Sequence, residues 1–213
     1  MPRVRPLLVA AMVILMAPHS HAKHGNPDDL AGYVAKMEDP SRDAWQKPDE
    51  VLRALALAPG QTVCDIGAGP GYFALRLARA GQHVLAVDVE PRILEVLRER
   101  IVKAGARGVT PILALPDDPL LPPASCDLIL IVDTFHHFPD GAAYLARLAR
   151  ALEPGGRVVN IDFHKRELPV GPPPDHKVAR EEFLAIAARA GFTVDAEPTF
   201  LPYQYFLILK PKR

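Results

Sequence analysis

A glycine-rich turn and two carboxylates are the residues of this chain best suited to holding a ligand. Gly67, Gly69 and Gly71 follow an apolar run that contains Asp65. A strand that passes through such a turn into a helix cradles a nucleotide cofactor, because glycine lets the backbone turn sharply and approach the ligand closely. Asp88 follows about 20 positions later, at the end of the next apolar run, where an acidic residue binds a ribose diol. The alternative is that Asp88 is only a strand-end carboxylate near a helix start.

The spacing of this turn disfavours a dinucleotide cofactor. The dinucleotide fingerprint G-x-G-x-x-G needs a glycine at the position where this chain has Tyr72. Asp65 would also repel a pyrophosphate, whereas it would attract a cationic or amine-bearing ligand. An NAD-dependent oxidoreductase is therefore the disfavoured alternative.

Histidines that follow two later apolar runs are the candidates for proton transfer. His136 and His137 follow the strand predicted over 127–132, and His164 follows the strand predicted over 157–163. Ligands of a parallel α/β sheet bind beyond the carboxyl ends of its strands, so these side chains would flank a substrate. A histidine titrates near neutrality and can take a proton from a hydroxyl or an amine. The alternative is that each histidine only caps its strand and packs against the next helix.

The elements that must position these residues alternate between strand and helix. The alternation and the apolar strands predict a parallel sheet that is covered by helices on both faces. The last two strands have no helix between them, so we expect them to pair as a hairpin, with the final strand antiparallel to the others. Strands are predicted over 62–66, 84–87, 109–113, 127–132, 157–163, 192–197 and 204–210, and helices over 28–38, from 48 to before 59, and over 72–80, 91–104, 142–152 and 181–190.

Composition bounds the fold and excludes some partners. The chain has 213 residues, 49% of them hydrophobic, which fits one globular domain with a sizeable core. Lys plus Arg and Asp plus Glu both number 25, so no basic surface is predicted to hold nucleic acid. Cys64 and Cys126 both lie in apolar runs, and we expect small buried hydrophobic residues there. Their spacing leaves a disulfide open without predicting one.

These motifs together resemble the class I S-adenosylmethionine-dependent methyltransferases. Residues 65–71 look like the first motif of that family, Asp88 looks like its ribose-binding acid, and residues 152–157 (LEPGGR) are similar to the turn before its fifth strand. The resemblance covers about 48–210. It implies a Rossmann-like α/β fold, a sheet of seven strands in the order 3-2-1-4-5-7-6 with strand 7 antiparallel, and helices on both faces. More narrowly, three stretches resemble a group of small bacterial methyltransferases, many with export signals: 45–48, 132–137 and 201–206.

The resemblance also implies a cofactor, an activity and a set of site residues. The cofactor is S-adenosylmethionine, and the activity is methyl transfer, which we expect to act on a small-molecule acceptor. His136, His137 and Asp133 are the predicted catalytic residues. The predicted cofactor-binding residues are Asp65, Gly67, Ala68, Gly69, Gly71, Tyr72, Asp88, Val89, Asp117 and Asp133.

Two features of the predicted site leave alternatives open. Such chains often carry an aspartate after the third strand that holds the adenine amino group, but Leu115 stands there. Either Asp117 takes that role, or backbone groups and packing hold the adenine. Trp45, just before the main domain, is predicted either to close over the cofactor or to anchor its helix on the sheet. The rival functions are methylation of a protein or lipid, and cofactor binding without catalysis.

A divalent metal site at the ends of the fourth and fifth predicted strands is a less favoured interpretation. Asp133 and Asp162 resemble positions where catechol-type O-methyltransferases hold magnesium, and two carboxylates plus waters would suit that ion. However, Phe163 follows where a third ligand such as asparagine would be needed. We therefore predict no metal.

The N-terminus has the three-part layout of a secretory signal peptide. Arg3 and Arg5 precede an apolar run over 7–17, and a small-x-small ending predicts cleavage after Ala22. The alternative is an uncleaved anchor, which would be the only reason to expect membrane association. The predicted segments are 1–22 as signal or anchor, 23–47 as an N-terminal helical segment, and 48–213 as the methyltransferase domain. Export conflicts with the cytosolic synthesis of S-adenosylmethionine, and a misassigned start would instead leave the protein in the cytoplasm.

Overall fold

A single sheet runs through the computed structural model, which describes residues 28–212. The predicted signal or anchor over 1–22 lies outside the described residues. Within them, seven strands form the order β3-β2-β1-β4-β5-β7-β6. Neighbours among β1 to β5 pair in parallel, and β7 is antiparallel to both β5 and β6. The predicted strand order and the antiparallel final strand are confirmed. The strands are β1 (Thr62–Ile66), β2 (His83–Asp88), β3 (Val109–Leu113), β4 (Cys126–Val132), β5 (Leu152–Phe163), β6 (Phe192–Ala196) and β7 (Gln204–Pro211).

Helices connect the strands and form a segment of their own before β1. Sequence analysis missed α2, because Asp39, Pro40 and Ser41 predicted a break and the helix begins directly after them. Within residues 28–212, no helix has the length and apolar character needed to cross a bilayer. The helices are α1 (Leu30–Met37), α2 (Arg42–Gln46), α3 (Pro48–Leu55), α4 (Tyr72–Arg79), α5 (Pro91–Ala104), α6 (Gly141–Ala151) and α7 (Arg180–Arg189).

The two faces of the sheet carry separate apolar clusters. Alternate residues of β4 point to opposite faces, so Leu130 joins one cluster and Ile131 the other. Leu97 of α5 belongs to the first cluster, together with residues of α3 and α4. Leu148 of α6 and Phe183 of α7 belong to the second. Burial on both faces explains why the central strands read as continuous apolar runs.

The glycine turn after β1 depends on backbone conformations and spaces that other residues tolerate poorly. Gly67 has a φ of +71°, and a Cβ there would lie 2.4 Å from the side chain of Thr134. Gly71 has a φ of +93°, and a Cβ there would lie 2.5 Å from Leu97. A side chain at position 71 would therefore collide with helix α5. These glycines let the chain leave β1 and start α4 directly beneath the strand end.

A disulfide bond joins the two central strands. Cys64 of β1 and Cys126 of β4 are bonded, with their Cα atoms 5.8 Å apart, and both are fully buried. The sequence-based expectation that they are only small hydrophobic residues was wrong. The pairing depends on the adjacency of β1 and β4, which the spacing of the two cysteines along the chain does not reveal.

We expect reduction of this bond to lower the free energy of unfolding by about 2–4 kcal/mol, because the unfolded chain then gains conformational entropy. Urea denaturation with and without a thiol reductant measures the difference. The variant Cys64→Ala/Cys126→Ala is the control and should be insensitive to the reductant. Free thiols in the denatured, unreduced protein would contradict the prediction.

Candidate functional site

A cavity of about 530 Å³ lies at the carboxyl ends of β1, β4 and β5. This volume falls in the range of about 300–1,000 Å³ that small-molecule sites occupy. Its floor is the glycine turn and the loop after β4, and its roof comes from α1, α2 and the proline-rich segment 169–172. The cavity therefore lies where a parallel α/β sheet places its ligands.

The cavity brings together most of the residues predicted from the sequence, but not all of them. Gly71 lies outside the lining, where a Cβ would meet the side chain of Leu97. Asp117 is exposed, and its carboxylate lies 4.0 Å from the guanidinium of Arg147. Asp88 and Val89 lie at the end of β2, outside the cavity lining. The predicted residues that line the cavity are Asp65, Gly67, Ala68, Gly69, Tyr72, Asp133, His136 and His137.

Asp88 is held in place by the glycine turn. One carboxylate oxygen accepts a hydrogen bond from the Gly69 amide at 2.9 Å, and the other accepts one from Glu90 at 3.0 Å. Burial raises the pKa of Asp88, while the backbone hydrogen bonds from Glu90 and Gly69 oppose that rise. A carboxylate offers about four acceptor positions, so this one can still accept both hydroxyls of a ribose. A Cβ at Gly69 would meet nothing within 4 Å, so the turn leaves open space beside the carboxylate.

The ends of β2 and β3 form an open apolar surface next to Asp88. Val89 and Leu115 are 44% and 51% exposed, which is unusual for large apolar side chains. Asp118 accepts hydrogen bonds from the Leu120 amide and from Arg147, so its carboxylate is already engaged. The surface offers packing for a flat ring, and both alternatives for adenine, Asp117 or backbone groups with packing, stay predictions.

Asp65 places a carboxylate with an unusual pKa in the cavity wall. Burial raises the pKa of Asp65 to about 7, with Asp88 adding to the rise and Arg42 opposing it. An ammonium group placed beside Asp65 would favour the ionised form and gain a charge partner. The chemistry of the turn thus fits a ligand that carries an amine.

Helix α2 covers the cavity and is tied down by polar contacts. The guanidinium of Arg42 lies 3.9 Å from the centre of the Tyr72 ring and 3.8 Å from a carboxylate oxygen of Asp133. The Tyr72 hydroxyl donates to Asp43, and Gln46 donates to Gln204 of β7 at 2.9 Å. These contacts connect α2 to α4, to the loop after β4 and to β7. Sequence reasoning missed them because they join distant parts of the chain.

Asp133 is strained and mostly buried at the end of β4. Its φ of +52° is uncommon for a residue with a side chain. Gln204 donates to one carboxylate oxygen at 2.7 Å. Burial, and next the charge of Asp162, raise the pKa of Asp133 to about 7, while Arg42 and Gln204 oppose the rise. Strain of this kind at the edge of a cavity is typical of functional positions.

His136 faces a buried carboxylate that the sequence did not pair with it. Its Nδ1 lies 3.4 Å from Asp162, whose side chain is fully buried. Burial opposes the charged form, but the hydrogen bond to Asp162 and the charges of Asp162 and Asp133 prevail and raise the pKa of His136. His137 is exposed and lies 4.2 Å from His136, ring centre to ring centre. His164 does not line this cavity.

Aromatic and proline residues form the wall opposite the glycine turn. Trp45 lies 5.5 Å from Phe163 between ring centres, and both residues line the cavity. Gly171 has a φ of +88°, and a Cβ there would lie 2.8 Å from the Phe163 ring. Trp45 thus packs against Phe163 of β5, as expected of a residue that anchors its helix on the sheet, and it also lines the cavity. The wall presents flat apolar surface to whatever binds beside His136.

No set of three or more His, Cys, Asp or Glu residues within 28–212 is arranged to hold a metal ion. The site combines a glycine turn after β1, the carboxylate of Asp88 at the end of β2 and the carboxylate of Asp65 in the cavity wall. Together with the strand order, these features match those of the class I S-adenosylmethionine-dependent methyltransferases that the sequence resembles.

Comparisons with known proteins give the same class. Residues 64–160 match the sequence model of a family described as "Methyltransferase domain". A structure of a SAM-dependent methyltransferase from Aquifex aeolicus superposes with a TM-score of 0.79 at 28% identity, over 84% of this chain and 96% of that one. Residues 64–160 thus carry the pattern of a methyltransferase domain, and the fold is similar to that of a SAM-dependent methyltransferase.

The curated relatives are longer proteins. A ubiquinone biosynthesis O-methyltransferase from Xylella fastidiosa is 32% identical over 139 residues, which cover 62% of this chain and 56% of the relative. A demethylmenaquinone methyltransferase from Tropheryma whipplei is 33% identical over 119 residues, covering 56% of this chain and 48% of the relative. The chain thus spans about half the length of these relatives.

The raised pKa of Asp65 predicts a pH dependence of stability. The pKa of Asp65 is about 7 in the folded protein, against 3.8 for a free aspartate. The contribution of Asp65 to the free energy of unfolding is therefore fully present below pH 3.8 and is lost as the pH rises through about 7. We expect Asp65→Asn to flatten this decline in urea denaturation, and the exposed Asp195→Asn to leave it unchanged. An unaltered pH profile in Asp65→Asn would contradict the pKa.

Proposed function

We propose that this protein transfers a methyl group from S-adenosylmethionine to a small-molecule acceptor. One observation carries the proposal: a single cavity is lined both by the glycine turn and by His136 with the aromatic residues Trp45 and Phe163. The methionine part of the cofactor and the acceptor can therefore lie in the same cavity, with the ribose reaching Asp88 beside Gly69. The Aquifex aeolicus neighbour supports the choice of cofactor, since it is described as SAM-dependent.

Two carboxylates next to the glycine turn have separate tasks in holding the cofactor. Asp88 accepts the ribose hydroxyls, and Asp65 receives the amine of the methionine part. The bound cofactor supplies an electrophilic methyl group on a positively charged sulfur. Helix α2 and the segment 169–172 exclude water, which strengthens the electrostatic interactions beneath them. They also confine the acceptor, which helps to hold it in line with the methyl group.

We propose more specifically that the acceptor contains an aromatic or quinone-type ring. The relatives are enzymes of ubiquinone biosynthesis and of demethylmenaquinone methylation, by their names. The rings of Trp45 and Phe163 in the cavity wall support an acceptor that contains an aromatic ring, because such rings pack well at centroid distances of about 4.5–7 Å. The size of the cavity favours a small molecule over a folded protein.

The cofactor assignment predicts a loss of affinity when Asp88 is truncated. We expect Asp88→Ala to weaken S-adenosylmethionine binding by about 1–3 kcal/mol, because hydrogen bonds to a charged group are lost. Isothermal titration calorimetry measures the change. Asp195→Ala, on the exposed strand β6, is the matched control and should bind as the unmodified protein does. Equal affinity in Asp88→Ala would mean that the ribose is held elsewhere.

Turnover is tested by the release of S-adenosylhomocysteine in the presence of candidate acceptors. Phenols, quinols, amines and lipid extracts are offered separately, and the product is followed by mass spectrometry. Acceptor-dependent release from a small ring compound supports the proposal. Tight cofactor binding without release from any acceptor would favour the rival, a cofactor-binding protein without catalysis.

We further propose that the protein acts outside the cytoplasm. Two independent features support this: the signal-like pattern at 1–22 and the Cys64–Cys126 bond, since disulfides persist mainly in oxidising compartments. We expect the protein from the periplasmic or secreted fraction to begin at Lys23, and mass spectrometry of its N-terminus to show this. Val13→Arg, which interrupts the apolar run, should block export. A full-length chain with free thiols in the cytosol would contradict the proposal.

A further inference from the structure

We propose that His136 is the base that removes the proton from a hydroxyl acceptor, and that Asp162 is the residue that positions it. The inference rests on the proposed methyl transfer and names both its proton acceptor and the acceptor class. A neutral phenol or similar hydroxyl is a poor nucleophile, so it needs a base as the methyl group arrives. A group that is already an uncharged amine would not.

The geometry assigns different tasks to the two ring nitrogens of His136. Nδ1 lies 3.4 Å from one oxygen of Asp162. The other oxygen of Asp162 accepts a hydrogen bond from the Phe163 amide at 2.8 Å, so β5 fixes the carboxylate. In the tautomer in which Nδ1 donates its proton to this carboxylate, Nε2 is left as the acceptor of a proton. His136 itself lines the cavity.

Burial separates this histidine from its neighbours. The side chain of His136 is 8% exposed and that of Asp162 is 0% exposed, so water competes little with their contact. His137 is exposed, although its ring lies beside that of His136. His164 lies on a different surface, with Arg166 and Arg180. His136 thus combines a fully buried carboxylate partner with a place in the cavity wall.

The charged and titratable groups around His136 come from four elements. Asp162 belongs to β5, and Asp133 and His137 belong to its own loop after β4. Arg42 of α2 lies 3.8 Å from Asp133, and Tyr205 of β7 is influenced by the charge of Asp162. The two carboxylates stabilise an imidazolium once the proton has moved, while Arg42 limits the negative charge that they present.

The proton and electron movements of the step balance without a further reagent. The acceptor O–H bond breaks and its proton goes to Nε2 of His136. An oxygen lone pair forms the new O–CH₃ bond, and the C–S bond breaks with its electrons remaining on sulfur. The products are a methyl ether, neutral S-adenosylhomocysteine and a protonated His136 beside Asp162. The proton then leaves to solvent when the products are released.

The pairing of His136 with Asp162 is tested first without any acceptor. Proton NMR of the imidazole resonances, assigned with His136→Gln, gives the pKa of His136 in the folded protein. We expect Asp162→Asn to lower that pKa, because the partner loses its charge. Asp195→Asn on β6 is the matched control and should leave it unchanged. The same pKa in Asp162→Asn and the unmodified protein would overturn the positioning role.

The role of His136 as a base is tested with acceptors of different acidity. Catechol is un-ionised near neutral pH, whereas a nitro-substituted catechol is already largely ionised and needs no base. We expect His136→Gln to lower kcat by about 10²–10⁴-fold on catechol and far less on the nitro compound. Asp162→Asn should lower kcat on catechol, rather than raise KM, and move the acid limb of its pH profile to lower pH. His83→Gln, exposed at the opposite end of β2, is the control.

The possible outcomes separate this inference from the proposed function. Equal losses on both catechols would indicate a structural role for His136 and overturn the inference. Turnover on an amine but on neither phenol would overturn it as well, while leaving methyl transfer intact. Absence of S-adenosylhomocysteine with every acceptor, despite cofactor binding, would instead contradict the proposed function.

Discussion

The burial of several carboxylates at one edge of the sheet is the constraint on which the rest of the site depends. Asp65, Asp133 and Asp162 lie at the ends of three neighbouring strands, where water is largely excluded. Negative charges so placed need a proton, a cation or hydrogen-bond donors. Arg42 and Gln204 provide part of that compensation, and a positively charged cofactor would provide more. Helix α2, which brings Arg42, is therefore as much an electrostatic element as a cover.

Helix α2 is held on the sheet by hydrogen bonds and an ion pair to polar side chains. Gln46 is fully buried yet bonds to Gln204, which in turn bonds to Asp133. A buried chain of this kind gives a unique position to α2, because an apolar contact would tolerate sliding. The acceptor wall carried by Trp45 is thereby fixed relative to the sheet.

The sequence predicted the elements that depend on local pattern. The bounds of β1, α5 and β3 agree with the structure residue for residue, because apolar runs and turn residues mark them clearly. The strand order came from a family resemblance that residues 65–71 and 152–157 carry. The glycine turn could also be predicted, since its conformations demand glycine at fixed spacing.

The parts that sequence reasoning missed are those made by contacts across the fold. Nothing local marks Asp162 as the partner of His136, because 26 residues separate them and only the adjacency of β4 and β5 brings them together. The disulfide and the contact of Arg42 with Tyr72 have the same origin. Helix α2 was lost because its first residues follow a proline-containing break.

The origin of the cavity wall has a consequence for how such a protein can diversify. The turn that we propose for the cofactor belongs to the sheet, whereas the facing wall comes from residues 33–45 and 169–176, which contribute no strand. Apart from Arg42, whose charge offsets the carboxylates at the sheet edge, these two segments can exchange side chains while the sheet remains unaltered. Under the proposed function, specificity for the acceptor is thus modular: it can be inherited, lost or redesigned largely apart from the residues that hold the methyl donor.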